Sequence, residues 1–401
     1  RMKRLTRYAP HATVFCASGA IMILELTAGR LVARHLGMSL YTWTAIIAAI
    51  MGGMAAGNYL GGRWADRFRA APALTVLFAA AAAACATLLP LNALLGEWTP
   101  LVALPWVSRI LAHIFLLFFV PALVLGTIAP VAARLAIVHA EKEGRAVGGV
   151  FAAGVIGSIA GTFLSGYWLV LTFGVSAIVL TSAGVLAVLG GVWAMVWARG
   201  DDQAAVYSRP TPERAPREEK VSWHARISPA LIVVVSNVAF MTLELAASRM
   251  LSREFGASLY TWTSLIGVAL AGIALGNYAG GHLADRSATA RTLARLFVLA
   301  SAATALAPFC AEYIHRLFQA YALFGMLSWP SRILLYTVAA FFAPCFLLGF
   351  ISPVVVKRAL DQGWTAGNAV GDLYAWGAVG GIAATLLTRS EEHTSELQSL
   401  R

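Results

Sequence analysis

The chain has 401 residues, of which 59% are hydrophobic and only 12% are charged, and its formal net charge is +11. A water-soluble domain needs about a quarter of its residues charged to cover its surface, so this composition excludes an ordinary soluble protein. The basic residues lie between long apolar runs, which points to orientation in a membrane and argues against a nucleic-acid partner.

Apolar runs of about 18–25 residues, the length that crosses a bilayer, predict eleven membrane spans. The first six are predicted near residues 10–33, 41–62, 72–94, 107–137, 147–170 and 174–197, and the next five near 229–251, 260–282, 292–311, 331–356 and 369–388. The polar, proline-rich segment 199–228 between the two groups is predicted to be a linker. We therefore expect an all-α polytopic protein embedded in the lipid bilayer.

Lys and Arg residues predict which ends of the spans face the cytoplasm. They cluster before the first span, after the second and fourth, and in the linker. The second group of spans repeats this pattern with Arg286, Arg291, Arg295, Lys357 and Arg358. The N-terminus and the central linker are therefore predicted to be cytoplasmic, with the protein in a plasma membrane such as the inner membrane of a bacterium.

The stretch SLYTWT occurs at residues 39–44 and again at 258–263. Around it, residues 24–67 align without a gap to residues 243–286, and about half of the positions are identical. Further along, Gly126, Pro130, Gly148 and Gly157 recur 223 positions later as Gly349, Pro353, Gly371 and Gly380. These matches predict two parallel copies of one six-helix unit, related by an axis along the membrane normal.

The first copy is predicted to cover residues 1–198 and the second residues 229–388. After Thr388 the second copy breaks into RSEEHTSELQSLR, although the first copy continues with an apolar run. So many charges are costly inside hydrocarbon, and this string resembles a translated sequencing adapter. We expect residues 389–401 to be an artefact, and the second copy to hold about five helices and to be truncated within the eleventh.

The sequences GGRWADR at 61–67 and GGHLADR at 280–286 end the second span of each copy. They resemble the G-x-x-x-D-R signature of the major facilitator superfamily. The resemblance implies that Asp66 and Asp285 lie against a helix terminus, where the helix dipole favours a carboxylate. It also implies that the following Arg67 and Arg286 pair across an inner gate. A plain cytoplasmic charge cluster is the alternative.

A closer resemblance covers most of residues 13–388. The motifs E-L-x-x-x-R, G-x-S-L-Y-T-W-T and G-N-Y-x-G-G-x-x-A-D-R resemble the membrane portion of fused major-facilitator/spermidine-synthase proteins. In that family a cytoplasmic aminopropyltransferase-like domain often follows the membrane part. No Gly-rich nucleotide loop or pair of diamine-binding acids is evident here, so a synthase domain is at most a possible C-terminal partner in the intact protein. Gly154 and Gly377 stand where many relatives have Asn.

Small residues and prolines predict how the helices pack. Two series with four-residue spacing, which let a neighbouring helix approach closely or slide, are Gly53, Gly57 and Gly61, and Gly272, Gly276 and Gly280. Asn58 and Asn277 beside them are expected to hydrogen-bond across helices. The prolines of the fourth and tenth spans, Pro121, Pro130, Pro344 and Pro353, predict bent helices that line a cavity, or merely curved packing helices.

Glu25 and Glu244 lie in the outer half of the first span of each copy, five residues before Arg30 and Arg249. Intramembrane carboxylates are costly, so they normally face a cavity or a partner. Two hypotheses follow. The glutamates bind a transported cation or proton, or each forms a structural pair with its arginine.

The leading functional hypothesis is a secondary transporter of a small charged metabolite, which the resemblance suggests is polyamine-like. One alternative is the transmembrane module of a spermidine synthase-like enzyme whose catalytic domain is missing, and another is a non-transporting membrane scaffold. The sequence predicts no catalytic residue and no cofactor, and no metal site is predicted because its four cysteines lack metal-ligand spacing.

A topology measurement tests the predicted orientation. An epitope tag near residue 200 is expected to be cytoplasmic because of the basic residues in the linker. In cells whose outer membrane has been removed, it should bind antibody only after the inner membrane is permeabilised, whereas a control tag beside Gly37, between the first two spans, should bind without permeabilisation. Antibody binding at the residue-200 tag while the inner membrane is sealed would contradict the predicted orientation.

Overall fold

The structure is a computed structural model that describes residues 2–138, 140–198, 223–256, 258–320 and 327–399. Within these ranges the regular secondary structure is entirely helical, and no strand occurs. The predicted all-α fold class is therefore confirmed. A helix satisfies its backbone hydrogen bonds internally, which is what a segment surrounded by hydrocarbon requires.

Eleven long helices account for most of the described chain. They are α1 (Met2–Leu36), α2 (Leu40–Arg67), α3 (Ala70–Glu97), α4 (Trp106–Val138), α5 (Glu143–Leu164), α6 (Val175–Ala198), α7 (Trp223–Phe255), α8 (Leu259–Arg286), α9 (Ala290–Ala320), α10 (Trp329–Gly349, resumed as Ile351–Asp361) and α11 (Ala366–Ser399). The first ten are long and apolar enough to cross a membrane. Each covers most of a predicted span, although α1 begins eight residues before span 10–33 and α9 ends nine residues after span 292–311. Span 147–170 continues past α5 into a π-helical turn, Ser165–Leu169.

Two predicted boundaries fall at the edges of what the structure describes. Residues 199–222 of the predicted linker lie outside the described residues, and α7 begins at Trp223, before the predicted linker ends. The last helix, α11, runs to Ser399 and so passes through the segment that follows Thr388. The artefact and the truncation stay predictions.

The repeated SLYTWT stretch encodes the start of a helix in both copies. Gly37 and Gly256 have φ angles of 66° and 76°, a left-handed conformation that glycine adopts without strain. Two residues later, Ser39 accepts a hydrogen bond from the backbone N–H of Thr42, at 3.1 Å, and so caps α2. Ser258 caps α8 in the same way, accepting from the N–H of Thr261 at 3.2 Å.

The first of two compact units comprises residues 1–141, 157–223 and 360–378. Within it α4 packs against α1, α2 and α3, and α6 packs against α3. The core of this unit contains fully buried side chains such as Phe78, Ile114, Leu117 and Leu186. The C-terminal part of α5 and the N-terminal part of α11 belong to this unit.

The second unit comprises residues 142–156, 224–359 and 379–401. Here α10 packs against α8 and α9, with buried side chains that include Ile333, Phe341, Leu348 and Val354. This packing repeats that of α4 against α2 and α3 in the first unit, as two copies of one fold require. The units differ from the predicted sequence copies because α5 and α11 each contribute to both.

Glycines set the distance between the paired helices in each unit. A Cβ added at Gly53 would lie 2.7 Å from the carbonyl oxygen of Phe119, and one at Gly61 would lie 2.6 Å from that of Thr127. Only glycine lets the backbones of α2 and α4 approach so closely. The equivalent glycines of α8, which meet α10 in the same way, are Gly272, Gly276 and Gly280.

The prolines act differently in α4 and α10. Helix α4 is continuous through Pro121 and Pro130, whereas α10 stops at Gly349 and resumes at Ile351. Pro353 has no N–H to offer the carbonyl of Gly349, four residues earlier, but Pro130 stands in the same relation to Gly126 in the continuous α4, so the proline alone does not explain the break in α10. The predicted bends stay predictions.

Replacing Gly57 or Gly276 by Ala is expected to destabilise the protein by about 1–3 kcal/mol, because the new methyl group would overlap the carbonyl of Leu123 or its α10 counterpart. Thermal unfolding in detergent measures this effect. The matched control is Gly52→Ala, whose nearest neighbour would be a Phe119 ring carbon 4.0 Å away. Equal stability of Gly57→Ala and Gly52→Ala would contradict the role of the close contact.

Candidate functional site

Glu25 and Glu244, here called the central carboxylates, occupy equivalent positions in α1 and α7. Each lies eleven residues before the end of its helix, at Leu36 or Phe255, and eleven residues span roughly 16 Å along a helix axis. Both side chains are half-buried and lie within candidate membrane spans. The sequence thus places one carboxylate deep in the apolar part of each copy.

Neither central carboxylate is paired with the arginine that follows it. Arg30 Nη1 instead donates a hydrogen bond to the carbonyl of Val170, 2.9 Å away, beyond the π-helical turn that follows α5. Residues five apart lie about 140° apart around a helix, on different faces. Arg249 is exposed on α7. In the described parts of the chain, no hydrogen bond or ion pair reaches Glu25 or Glu244.

Glu244 lies near enough to the buried Cys345 of α10 for its charge to act on the thiol. Cys345 packs against Gly272 of α8, and the position equivalent to Cys345 in the first copy is Ala122, which packs against Gly53.

Asp66 lies at the N-terminus of α11, and we call this arrangement the α2–α11 contact. Its carboxylate accepts hydrogen bonds from the backbone N–H groups of Gly367 and Asn368, each at 3.1 Å, and from the hydroxyl of Thr365. Arg134 Nε of α4 lies 3.2 Å from the same carboxylate. The first N–H groups of a helix have no partner within the helix, so a carboxylate is favoured there.

Asp285 lies at the N-terminus of α5, and we call this arrangement the α8–α5 contact. It accepts hydrogen bonds from the backbone N–H groups of Gly144, at 2.7 Å, and Arg145, at 3.1 Å. Arg145 Nε is 3.7 Å from the carboxylate. Lys357, which stands at the position of Arg134 in the second copy, pairs instead with Glu143 at 3.3 Å.

Both aspartates thus lie against a helix terminus, as the G-x-x-x-D-R resemblance implies. Arg67 and Arg286 are exposed, and they form no ion pair within the described ranges. Their pairing across an inner gate stays a prediction.

Glycines bring α2 close to α11 and α8 close to α5. Their role in an interface was not predicted. A Cβ at Gly62 would lie 2.6 Å from the carbonyl oxygen of Gly367 and 2.9 Å from the Cα of Gly371. In the second unit a Cβ at Gly281 would lie 3.0 Å from the Cα of Gly148. The signal for this interface is the spacing Gly144–Gly148, which recurs 223 positions later as Gly367–Gly371.

Asn58 and Asn277 are buried at these contacts. Their backbone carbonyls, rather than their amide groups, approach the glycines of α11 and α5. Neither amide side chain forms a hydrogen bond to another described residue, so the predicted bonds across helices are not seen there.

A polar cluster near the C-terminal ends of α1 and α3 and the N-terminal end of α4 was not predicted. Asn92 Nδ2 donates to the carbonyl of Leu31 at 2.9 Å, and Asn92 Oδ1 lies 2.9 Å from Nε2 of the buried His113. The ring of His35 stacks on His113 with centroids 6.1 Å apart. Polar residues inside apolar runs are the sequence signal for such a cluster.

An apolar groove of about 450 Å³ lies between α2 and α4, lined by Ala45, Ala48, Ala49, Leu111, Ala112 and Phe115. It contains none of the candidate residues. Among the described residues, no group of three His, Cys, Asp or Glu side chains is placed to hold a metal ion.

Comparison with known proteins agrees with the helical architecture. The family model of the Major Facilitator Superfamily matches residues 11–355. No curated protein matches the chain. A structure of the MFS proton:xylose symporter XylE bound to 6-bromo-6-deoxy-D-glucose is 13% identical, with 98% of this chain and 90% of that chain covered and a TM-score of 0.57.

A structure of the MFS transporter FucP in the outward conformation is 12% identical, with 95% of this chain and 91% of that chain covered and a TM-score of 0.54. A double-Trp mutant of XylE is 13% identical, with 97% and 90% covered and a TM-score of 0.51. At these identities the similarity shows a shared fold.

Replacing Asp66 by Asn is expected to lower the free energy of unfolding by about 1–3 kcal/mol, because the α11 N–H groups and Arg134 lose a charged acceptor. Asp285→Asn should act in the same direction. Denaturation in detergent measures both, and the control is Glu141→Gln, an exposed acid on the loop before α5. A stability loss no greater than that of the control would contradict the anchoring role of the aspartates.

Proposed function

The chain belongs to the Major Facilitator Superfamily, and we propose that it is a secondary transporter whose central carboxylates bind the transported cation. Membership of this family supports a multi-pass membrane transporter of small molecules. The observation that carries the finer proposal is the placement of Glu25 and Glu244. Two carboxylates lie deep in equivalent helices, and no ion pair with another described residue neutralises either one.

The cost of that placement supports a binding role. An ionisable side chain inside a membrane protein is retained where it meets a water-filled cavity, an ion path or a partner. The arginine that could have been the partner of Glu25 is instead bound to the carbonyl of Val170. A cation or proton that arrives during transport is the remaining partner.

We assign the substrate to the small, positively charged metabolites, with polyamines first among them. Two acidic side chains suit a molecule that carries more than one ammonium group. The resemblance of the motifs around Glu25 and Glu244 to the membrane portion of spermidine synthase fusions supports the same class.

The α2–α11 and α8–α5 contacts are proposed to form the cytoplasmic gate. Each joins a helix of one sequence copy to the first turn of a helix from the other copy, through a carboxylate that the helix dipole favours. Alternating access requires such contacts to break and re-form.

The proposal predicts that Glu25→Gln and Glu244→Gln each reduce cation uptake about tenfold or more, the effect of losing roughly 1.4 kcal/mol of binding. Uptake of labelled putrescine and spermidine by proteoliposomes that contain the purified chain measures this effect. Glu97→Gln changes an exposed acid at the end of α3 and is the matched control.

Insertion of each variant is checked by its yield and by its elution as a single species. If both variants take up the cation as fast as the wild type, the proposed role of the central carboxylates is eliminated. Absence of polyamine flux in the wild type would instead remove the substrate class.

A further inference from the structure

The α2–α11 contact contains a second charged layer that lies deeper than Asp66. Arg63 Nη1 donates to Asp372 Oδ1 at 2.8 Å, and the two side chains are 34% and 19% exposed. Asp372 lies six residues into α11, which is about 9 Å along the axis from its first residue. A charged pair at this depth is costly unless both charges are well satisfied.

Arg63 is held in place for this pair by its own helix. Its Nη1 also donates to the carbonyl of Tyr59 at 3.1 Å, and its guanidinium lies 3.3 Å from the centroid of the Tyr59 ring. A cation stacked on an aromatic face loses less freedom when it forms an ion pair. The pair therefore contributes more than an exposed pair between two flexible side chains.

The duplication supplies a natural comparison for this pair. Tyr59 and Arg63 of α2 correspond to Tyr278 and His282 of α8, and Asp372 of α11 corresponds to Gly149 of α5. The ring of His282 packs on Tyr278 with centroids 4.8 Å apart, and its Nδ1 lies 3.0 Å from the Tyr278 carbonyl oxygen. With glycine in place of Asp372, the α8–α5 contact has no acid at this level.

The backbone packing and the aspartate on the first turn of a helix are present in both contacts, although the Thr365 hydroxyl and Arg134 contact Asp66 only in the α2–α11 contact. Each has a glycine of one helix against two glycines of the other, and each has an aspartate on the first turn of a helix. The ion pairs of the α8–α5 contact lie at helix ends. Arg145, which is 44% exposed, approaches Asp285 only to 3.7 Å, and Lys357 of α10 pairs with Glu143, the first residue of α5.

Helix α11 is thus attached to α2 at two levels, whereas α5 is attached to α8 at one. We propose that Arg63 and Asp372 form a latch on the α2–α11 contact, and that the α8–α5 contact, which lacks the latch, separates more readily. The latch rests on the proposed function, because it sets the order in which the two parts of the proposed gate come apart.

A labelling experiment tests the latch without any substrate. Ala65 and Ala284 are buried at equivalent positions, one turn beyond the glycines of α2 and α8. Each is replaced by Cys in a chain whose four native cysteines have been replaced, and inverted vesicles are treated with a membrane-impermeant maleimide. We expect the cysteine at 284 to be labelled about two- to fivefold faster than that at 65, the range that corresponds to one ion pair.

Exchanging residues between the two copies then tests the Arg63–Asp372 pair by itself. Arg63→His and Asp372→Gly, which introduce the residues of the second contact, should accelerate labelling at 65 and leave labelling at 284 unchanged. Introducing His282→Arg together with Gly149→Asp should slow labelling at 284. The charge exchange Arg63→Asp with Asp372→Arg should restore slow labelling at 65, which a loss of folding could not do. Arg69→His, an exposed change near the end of α2, is the control.

Equal labelling of the two cysteines in the otherwise unchanged chain would overturn the latch, as would acceleration of both sites by Arg63→His. Labelling requires no transported molecule. The latch can therefore be tested even if no polyamine uptake is found. Conversely, normal cation uptake combined with equal labelling would refute the latch and leave the proposed function standing.

Discussion

Where two helices of this chain approach most closely, a glycine of one lies against a backbone carbonyl or a glycine of the other. Helices in a bilayer gain little from burying apolar side chains, because lipid is equally apolar, so close backbone packing carries much of their association. Gly57 against Leu123 and Gly276 against the equivalent residue of α10 hold each pair together in this way. Close backbone packing also determines which side chains can meet across two helices. Asp66 meets the first N–H groups of α11 because Gly62, four residues earlier, lets the two backbones touch.

The parts of the fold that depend on short-range pattern could be predicted from the sequence. Apolar run length gave the spans, and the spacing of Gly37, Ser39 and Thr42 is a local signal whose two occurrences form the same cap. The repeat of α2 in α8, and of the glycine and proline of α4 in α10, predicts that α8 packs on α10 as α2 packs on α4. These features involve neighbours in the chain or a single helix face, where residue type largely determines geometry.

The candidate site was harder to predict because its contacts join distant residues. The resemblance implied a helix terminus for Asp66, but nothing in the sequence identified α11, whose partner residues follow some 300 positions later. The sequence left open whether Glu25 forms an ion pair with Arg30. A spacing of five puts the two on different helix faces, and Val170 provides the carbonyl that the guanidinium binds. The spacing argues against a pair from the sequence alone, but the carbonyl that Arg30 binds could not be predicted without knowing where the chain lies after α5.

The two copies share their backbone contacts and differ in the charges placed on them. Where α1 and α4 of the first copy bring His35 and His113 together, the second copy has Glu254 paired with His315 at 3.1 Å, and Tyr336 in place of His113. Charge also differs beside the glycine interfaces, where His282 of α8 stands in the place of Arg63 of α2, because those interfaces are formed by backbone atoms and leave neighbouring side chains free to vary. Most of the charges that differ between the copies lie near helix ends. A charge there can be paired or solvated at modest cost. The central carboxylates are the exception. They are the same residue in both copies and lie eleven or more residues from either end of their helices, so in the proposed transporter a change there would alter what the interior binds rather than how the helices pack.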